Sequence, residues 1–470
     1  MGIIMTNKTA IINDTICAIA TPQGMGGIAV ARVSGPQAIE LVSRRWKGKS
    51  LDQMPSHTVH LGHVTDSAGQ VLDQVVLTLY RGPHSFTGED VVEIACHGSR
   101  WIQQQLIISL IDAGCRAATG GEFTRRAFAA GRMDLAEAEA VADVIAAQSQ
   151  AAHRVAMNQM RGHFSHELQQ LREQLLHFVA LIELELDFSE EDVTFAQRSE
   201  VIDLAQHMRD VIHRLTSSFH TGDAIRNGLP IAIVGQTNAG KSTLLNALLH
   251  DDRALVSDIH GTTRDVIEDT ITLQGTLLRF IDTAGIRQSD DAVEAMGIER
   301  SFRKLDEAQI VLWVIDATTP VADITTFSKQ IVPHCTGKHI VAVVNKTDLA
   351  PATSIEAALS TILPEGSQVV AISAHRRDDV ARLEQCIVKV AAMPQIDEDA
   401  VIVTNVRHYE ALSHAEQALD RALAALHDGL SGDLIGQDIR EVLHHLGTIT
   451  GEITSHDILG EIFAHFCVGK

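Results

Sequence analysis

The sequence predicts a multidomain fold of mixed α/β and α class. It comprises a small N-terminal α+β domain, a helical domain discontinuous in sequence, and an α/β domain inserted into it. Three observations predict this. Short β-rich runs punctuated by glycine fill roughly the first 130 residues, a long Ala-, Glu- and Gln-rich stretch follows, and from Gly228 apolar strands alternate with helical segments. Helical patterns return after Met393-Pro394, so the division runs 1–130, 131–227, 228–393 and 394–470.

In the first segment GGIAVARVSG, QVVLTLYRG and EDVVEIACHG read as strands, and one helical pattern, Trp101 to Ile111, interrupts them. From Asp134, AEAEAVADVIAAQSQAAHRVAMNQM contains no Gly or Pro and reads as one long helix. In the next helix Phe164, Leu168, Leu171, Leu175, Val179, Ile182 and Leu186 recur at spacings of 3 and 4, one apolar stripe of the kind that packs into a bundle core. A third helix is expected from about Glu200 to Ser218. The inserted segment offers strands at Ile231–Val234, Val266–Leu273, Leu277–Asp282, Ile310–Asp316, His339–Asn345 and Gln368–Ser373. Their alternation with helices implies a mostly parallel sheet covered on both faces. Tyr409–His427 and Asp433–Leu446 close the chain as helices.

Composition bounds the function. The 470 residues carry 38 Lys+Arg against 60 Asp+Glu, a net charge of −22. So acidic a chain does not coat nucleic acid by general phosphate attraction, and any RNA contact must be local or made by a partner. At 45% hydrophobic residues it is no disordered tail, and at 4% aromatic it offers few base-stacking platforms. The six cysteines form no C-x-x-C pair, the 24 histidines no H-x-x-x-H zinc pattern. No secretory core and no apolar run of spanning length is visible, so a soluble, reduced, cytoplasmic protein is expected.

Gly235-Gln236-Thr237-Asn238-Ala239-Gly240-Lys241-Ser242, followed by Thr243, matches G-x-x-x-x-G-K-[ST] between strand IAIV and helix STLLNALL. Such a loop wraps phosphates with backbone N–H groups, its lysine reaches the β/γ-phosphates, and its serine ligates Mg²⁺. Asp282-Thr283-Ala284-Gly285 ends a strand, where the Asp can hold the Mg²⁺ water shell and the Gly amide can sense a γ-phosphate. Asn345-Lys346-Thr347-Asp348 places a carboxylate that accepts from guanine N1–H and its exocyclic amine, while Ser373-Ala374-His375 offers backbone N–H to O6. Together these four fit a Ras-like P-loop GTPase domain binding GTP and Mg²⁺. Val256 to Asp265 lies in the first switch, with Asp258, His260 and Gly261 around Thr263, the second Mg²⁺ ligand. Ile286 stands where Ras-like enzymes carry a water-orienting glutamine, so the catalytic group must come from elsewhere.

The chain resembles the MnmE (TrmE) family. The resemblance rests on HSFTGEDVVEIACHG (84–98), GEFTRRAF (121–128), MDLAEAEAVADVI (133–145), GTTRDV (261–266), DTAGIR (282–287) and a terminal Phe466-Cys467-Val468-Gly469-Lys470. It implies a K⁺ ion beside the phosphates, on Asn238, Ser257, the Ile259 carbonyl and Thr262. It also implies that Glu294 orients the attacking water. Ser257 replaces the family's usual threonine but keeps the oxygen. The resemblance implies that the N-terminal domain forms a homodimer and binds a reduced tetrahydrofolate as one-carbon donor through Arg32, Glu93, Arg132 and Lys470. Arg132 stands where lysine is more usual, which changes the donor geometry. Cys467 reads two ways, as a reactive catalytic thiol or as a packed terminal residue. The implied partners are tRNA and the flavoprotein MnmG, which uses FAD and NADH, in a heterotetramer or larger complex with no membrane. Together they would modify C5 of the wobble uridine (U34) to an aminomethyl or carboxymethylaminomethyl group, with GTP hydrolysis driving a conformational cycle. A GTP-dependent ribosome-assembly switch is the alternative reading. Residues 1–130 and the terminal Cys-Val-Gly-Lys argue against it, and intact nucleotide motifs argue against a folate enzyme with a degenerate GTPase.

Overall fold

The computed structural model describes residues 14–22, 24–187, 198–250, 269–281, 305–391, 400–428, 430, 432–454, 456–464, 466 and 469. By contacts the chain divides into two compact units, one made of Met1–Ala142, Gln159–Gln206 and His414–Lys470, the other of Asp143–Asn158 and His207–Ser413.

The first unit opens with strands β1 (Ile16–Ile19) and β2 (Gly26–Ser34), helix α1 (Ala38–Ser43), and strands β3 (Trp46–Lys47), β4 (Thr58–Thr65), β5 (Val71–Tyr80) and β6 (Val91–Gly98). Helices α2 (Arg100–Ala113) and α3 (Glu122–Ala129) follow, with β7 (Arg116–Ala117) between them. The seven strands form one sheet, ordered β3-β4-β5-β6-β2-β1-β7, antiparallel except where β1 meets β7. Strand alternation sends Ala31, Val33, Leu77, Leu79, Val92 and Ile94 to one face, where α1 and α2 cover them. The opposite face keeps Ile28, Val59, Leu61 and Val76 at 40–71% exposure.

Helix α4 (Leu135–Ala146) begins in a capping box. The Glu137 carboxylate accepts from the Asp134 N–H, and the Asp134 carboxylate from the Glu137 N–H, both at 2.8 Å. The sequence reading of one helix through Met160 is corrected here. The chain breaks after Ala146, and Ser149 caps α5 (Gln150–Met160), its Oγ accepting from the Ala152 N–H at 3.1 Å. Helix α6 (His163–Asp187) buries Phe164, Leu168, Leu171 and Leu175 as the stripe requires. Helix α7 (Arg198–Asn227) runs past the expected end at Ser218.

The second unit holds β8 (Leu229–Val234), α8 (Lys241–His250), β9 (Asp269–Leu273), β10 (Thr276–Ile281) and β11 (Ile310–Asp316). It continues with α9 (Val321–Ile331), β12 (His339–Asn345), α10 (Thr353–Ile362), β13 (Gln368–Ala371) and α11 (Arg377–Val390). Its six-stranded sheet is ordered β13-β12-β11-β8-β10-β9, parallel except for the β9–β10 hairpin. Two apolar clusters, around Phe280 and around Trp313, cover its faces, which is why β8 and β12 read as unbroken apolar runs. The chain ends with α12 (Val406–Asp428), α13 (Gly432–Thr450), which packs on α6 in the first unit, and α14 (His456–Ala464). Fold and class are therefore multidomain α/β plus α. No helix among the described residues is long and apolar enough to cross a membrane.

Candidate nucleotide and cofactor sites

In the inserted sheet the connections run from β8 to one side and then, with β11, to the other. The carboxyl ends of β8, β11 and β12 thus open at a topological switch point, the place where α/β sheets take ligands. The loop from Gly235 to Gly240 fills it. Gly240 has φ +93°, and a Cβ there would stand 2.3 Å from Asn345 Nδ2, so only glycine lets the two loops meet. Asn345 ties three segments together, donating from Nδ2 to the Ala239 carbonyl and accepting at Oδ1 from the Ala374 N–H, both at 3.0 Å. Lys346, itself left-handed at φ +63°, donates to the Asn238 carbonyl (2.6 Å) and to Asp316 Oδ2 (2.7 Å).

Asn238 is also left-handed, at φ +63°, a conformation asparagine tolerates. Lys241, the first residue of α8, donates to the carbonyls of Gly235 (2.8 Å) and Gln236 (2.9 Å), and burial lowers its pKa. Ser242 and Thr243 follow in the first turn of α8, where the positive end of the helix dipole favours an anion. Asp348 is exposed, and a hydrogen bond from the Ser373 hydroxyl leads the contacts that lower its pKa. The Ser373 N–H in turn is held by Asp379 Oδ2 at 2.8 Å, and His375 adds favourable charge near Asp348. Thr347 N–H donates to the Ile372 carbonyl. The structure therefore brings together Asn238 to Thr243, Asn345 to Asp348 and Ser373 to His375.

Asp316 was not anticipated. As the last residue of an apolar strand it occupies a position like that of Asp282, and this was the signal that could have found it. Ser257, Asp258, Ile259, His260, Gly261, Thr262, Thr263, Asp282, Thr283, Ala284, Gly285, Glu294, Cys467 and Lys470 lie outside the described residues. Ser242 and Asn238 are thus the described members of the expected Mg²⁺ and K⁺ sets. Among the described residues no group of three or more His, Cys, Asp or Glu is placed to hold a metal.

A second site lies on the open face of the N-terminal sheet. Arg32 on β2 and Glu93 on β6 are cross-strand partners, joined by Nε and Nη2 to Oε1 at 2.9 and 2.8 Å. The guanidinium also sits over the Phe86 and Phe123 rings, at 5.3 and 5.7 Å from their centroids. Glu93 and Arg132 line one cavity of about 460 Å³, with His57, Tyr80, His84 and Phe86. Among the described residues nothing engages the Arg132 guanidinium. Gly88, at φ +79°, packs beside the Arg132 stem, and a Cβ there would crowd the Ala130 Cβ at 3.1 Å. A carboxylate for an amide–amine edge and a free guanidinium for an anionic tail fit a reduced folate.

Comparison with known proteins follows the same division. A model of the MnmE helical domain matches residues 135–467, and a model of the GTP-binding protein TrmE N-terminus matches residues 15–132. A tRNA modification GTPase MnmE of Parabacteroides distasonis is 52% identical over 462 residues, covering 97% of this chain and 100% of the relative. The protein of that name from Bacteroides thetaiotaomicron is 51% identical, over 97% of this chain and 99% of its own. The one from Cytophaga hutchinsonii is 45% identical, over 99% of each.

Proposed function

The chain belongs to the MnmE family of tRNA modification GTPases, and from that premise we propose that it is a K⁺-dependent GTPase modifying C5 of the wobble uridine. It hydrolyses GTP with Mg²⁺ and acts in tRNA modification, as the family does. The finer reading assigns the phosphates to residues 238–243, with Lys241 catalytic, and guanine to Asn345, Lys346, Thr347, Asp348 and Ser373 to His375. It assigns Mg²⁺ to Ser242 and Thr263, K⁺ to Asn238, Ser257, Ile259 and Thr262, and water activation to Glu294. Ile286 cannot polarise water, which leaves that role to Glu294, while K⁺ held by those residues would supply the positive charge that an arginine finger brings elsewhere.

The observation that carries the one-carbon half of this reading is the cavity that joins Glu93, paired to Arg32, with a free Arg132. There a reduced tetrahydrofolate would bind, with Lys470 completing the anionic end. The exposed apolar strip beside the cavity supports a homodimer through residues 1–130. Residues 131–227 and 394–470 form the helical domain, and 228–393 the nucleotide domain that drives the cycle. A cytoplasmic flavoprotein partner with FAD and NADH would supply the redox chemistry and much of the grip on tRNA.

Nucleoside analysis of tRNA from a strain lacking the protein tests the role. Loss of the aminomethyl and carboxymethylaminomethyl groups at U34 is expected. Intact wobble modification would sink this reading and favour an assembly switch.

A further inference from the structure

Two residues of the folate cavity belong to none of the assigned contacts, and their geometry is unusual. His57 has φ +63°, a left-handed conformation that is unfavourable for a non-glycine residue. β4 begins at the next residue, so the left-handed turn at His57 sets where its side chain leaves the sheet edge. The His57 N–H is anchored to the Leu79 carbonyl at 2.7 Å. Its ring stands edge-on to Tyr80, with centroids 5.3 Å apart and planes at 88°. Ser56 fixes the ring further, because its Oγ accepts from the Arg81 N–H (2.9 Å) and lies 2.8 Å from His57 Nδ1. The hydroxyl can give its own proton to Nδ1 or accept from it, and either way it pins the ring and leaves Nε2 on the cavity side of the bond.

Tyr80 pairs in register with Val91, two residues from Glu93 on the same face of the sheet. Its pKa is raised by burial and then by the charge of Glu93, so the phenol keeps its proton at neutral pH. Among the described residues no group engages its hydroxyl. The wall therefore presents an aromatic surface, an O–H and an imidazole nitrogen beside a carboxylate.

Building on the folate reading above, we propose that His57 and Tyr80 form a specificity wall, against which the bicyclic ring packs while the Tyr80 hydroxyl donates to its polar edge. The Ser56 hydrogen bonds and the strained backbone keep the wall in place before the ligand arrives.

Calorimetric titration of the full chain with 5-formyltetrahydrofolate tests this. Tyr80→Ala should weaken binding by roughly tenfold, the value of one buried aromatic contact. Tyr80→Phe, which keeps the ring, should lose a few-fold through the hydroxyl alone. His57→Gly is the discriminating variant: glycine accepts φ +63° freely, so the melting midpoint should stay level or rise while affinity falls. A merely structural histidine would show no such split. Affinity within twofold of the parent in all three variants, with binding lost in Glu93→Ala, would overturn the wall and leave the folate site standing. A parent chain that binds no folate would overturn both.

Discussion

Glu122 sits inside the N-terminal domain with its side chain at 0% exposure, between Arg116 and Arg126. Burial by itself would raise its pKa, but the Arg116 hydrogen bond, the Thr119 N–H and the pull of Arg126 outweigh that and hold it at about 2. Arg126, at 2% exposure, also pairs with Asp14 and Glu89, so the cluster stitches α3 to the start of β1 and to the loop before β6. A folded pKa below the ordinary 4.5 means the contribution to stability is complete above pH 4.5 and is lost as pH falls towards 2. Glu122→Gln should cost roughly 3 kcal/mol in urea unfolding at neutral pH, because two guanidinium groups lose a buried partner. The same variant should flatten the acid limb of stability against pH; an unchanged limb would place the acid sensitivity elsewhere. Asp348 carries a different test. Asn there replaces an acceptor by a donor, so GTP affinity should fall about 100-fold. A xanthine nucleotide, with a carbonyl where guanine has an amine, should gain in competition binding.

At the scale of elements, the break between α4 and α5 shows how a cap competes with propensity. Gln148, Ser149 and their neighbours contain no glycine or proline, so composition favours a continuous helix. Ser149 ends it because its hydroxyl and carbonyl satisfy the Ala152 and His153 N–H groups at 3.1 and 3.0 Å. Ser149→Ala should lower stability by about 1 kcal/mol, read as a shifted urea midpoint at constant slope. A parent-like midpoint would mean that packing rather than the cap sets the break. The stripe on α6 behaved more simply, since Phe164 to Leu175 at spacings of 3 and 4 can face a partner only as a helix.

For the whole molecule, the open face of the N-terminal sheet and the net charge are the governing facts. Val59 at 62%, Leu61 at 68% and Ile28 at 71% exposure form an apolar strip beside Glu93 and Arg32. On a protein of −22 charge such a strip favours contact with another apolar face over contact with RNA. Leu61→Asp should turn the proposed dimer into a monomer in light scattering, because the strip would then carry a desolvated carboxylate. A parent-like mass would move the dimer contact elsewhere. The acidic balance bears on who holds the tRNA: local basic residues or the partner must supply the phosphate contacts.

Much of the fold and the described part of the candidate nucleotide site was legible because both are written in short range. The period of 2 in β2 and β6, the near-continuous apolar runs of β8, β11 and β12, and the Gly–Lys–Ser loop each depend on residues adjacent in the chain. What the sequence by itself determined was the class and the nucleotide motifs; Arg32 and Glu93 came only from the family resemblance, and the β2–β6 register made them partners. What only the tertiary structure decided was proximity. Gly240 meets Asn345, Asp316 meets Lys346, and His57 meets Tyr80, because sheet order and register bring distant segments within a few ångströms. The physical reason is that a side chain's hydrogen-bond capacity is local, while its partner is chosen by strand pairing.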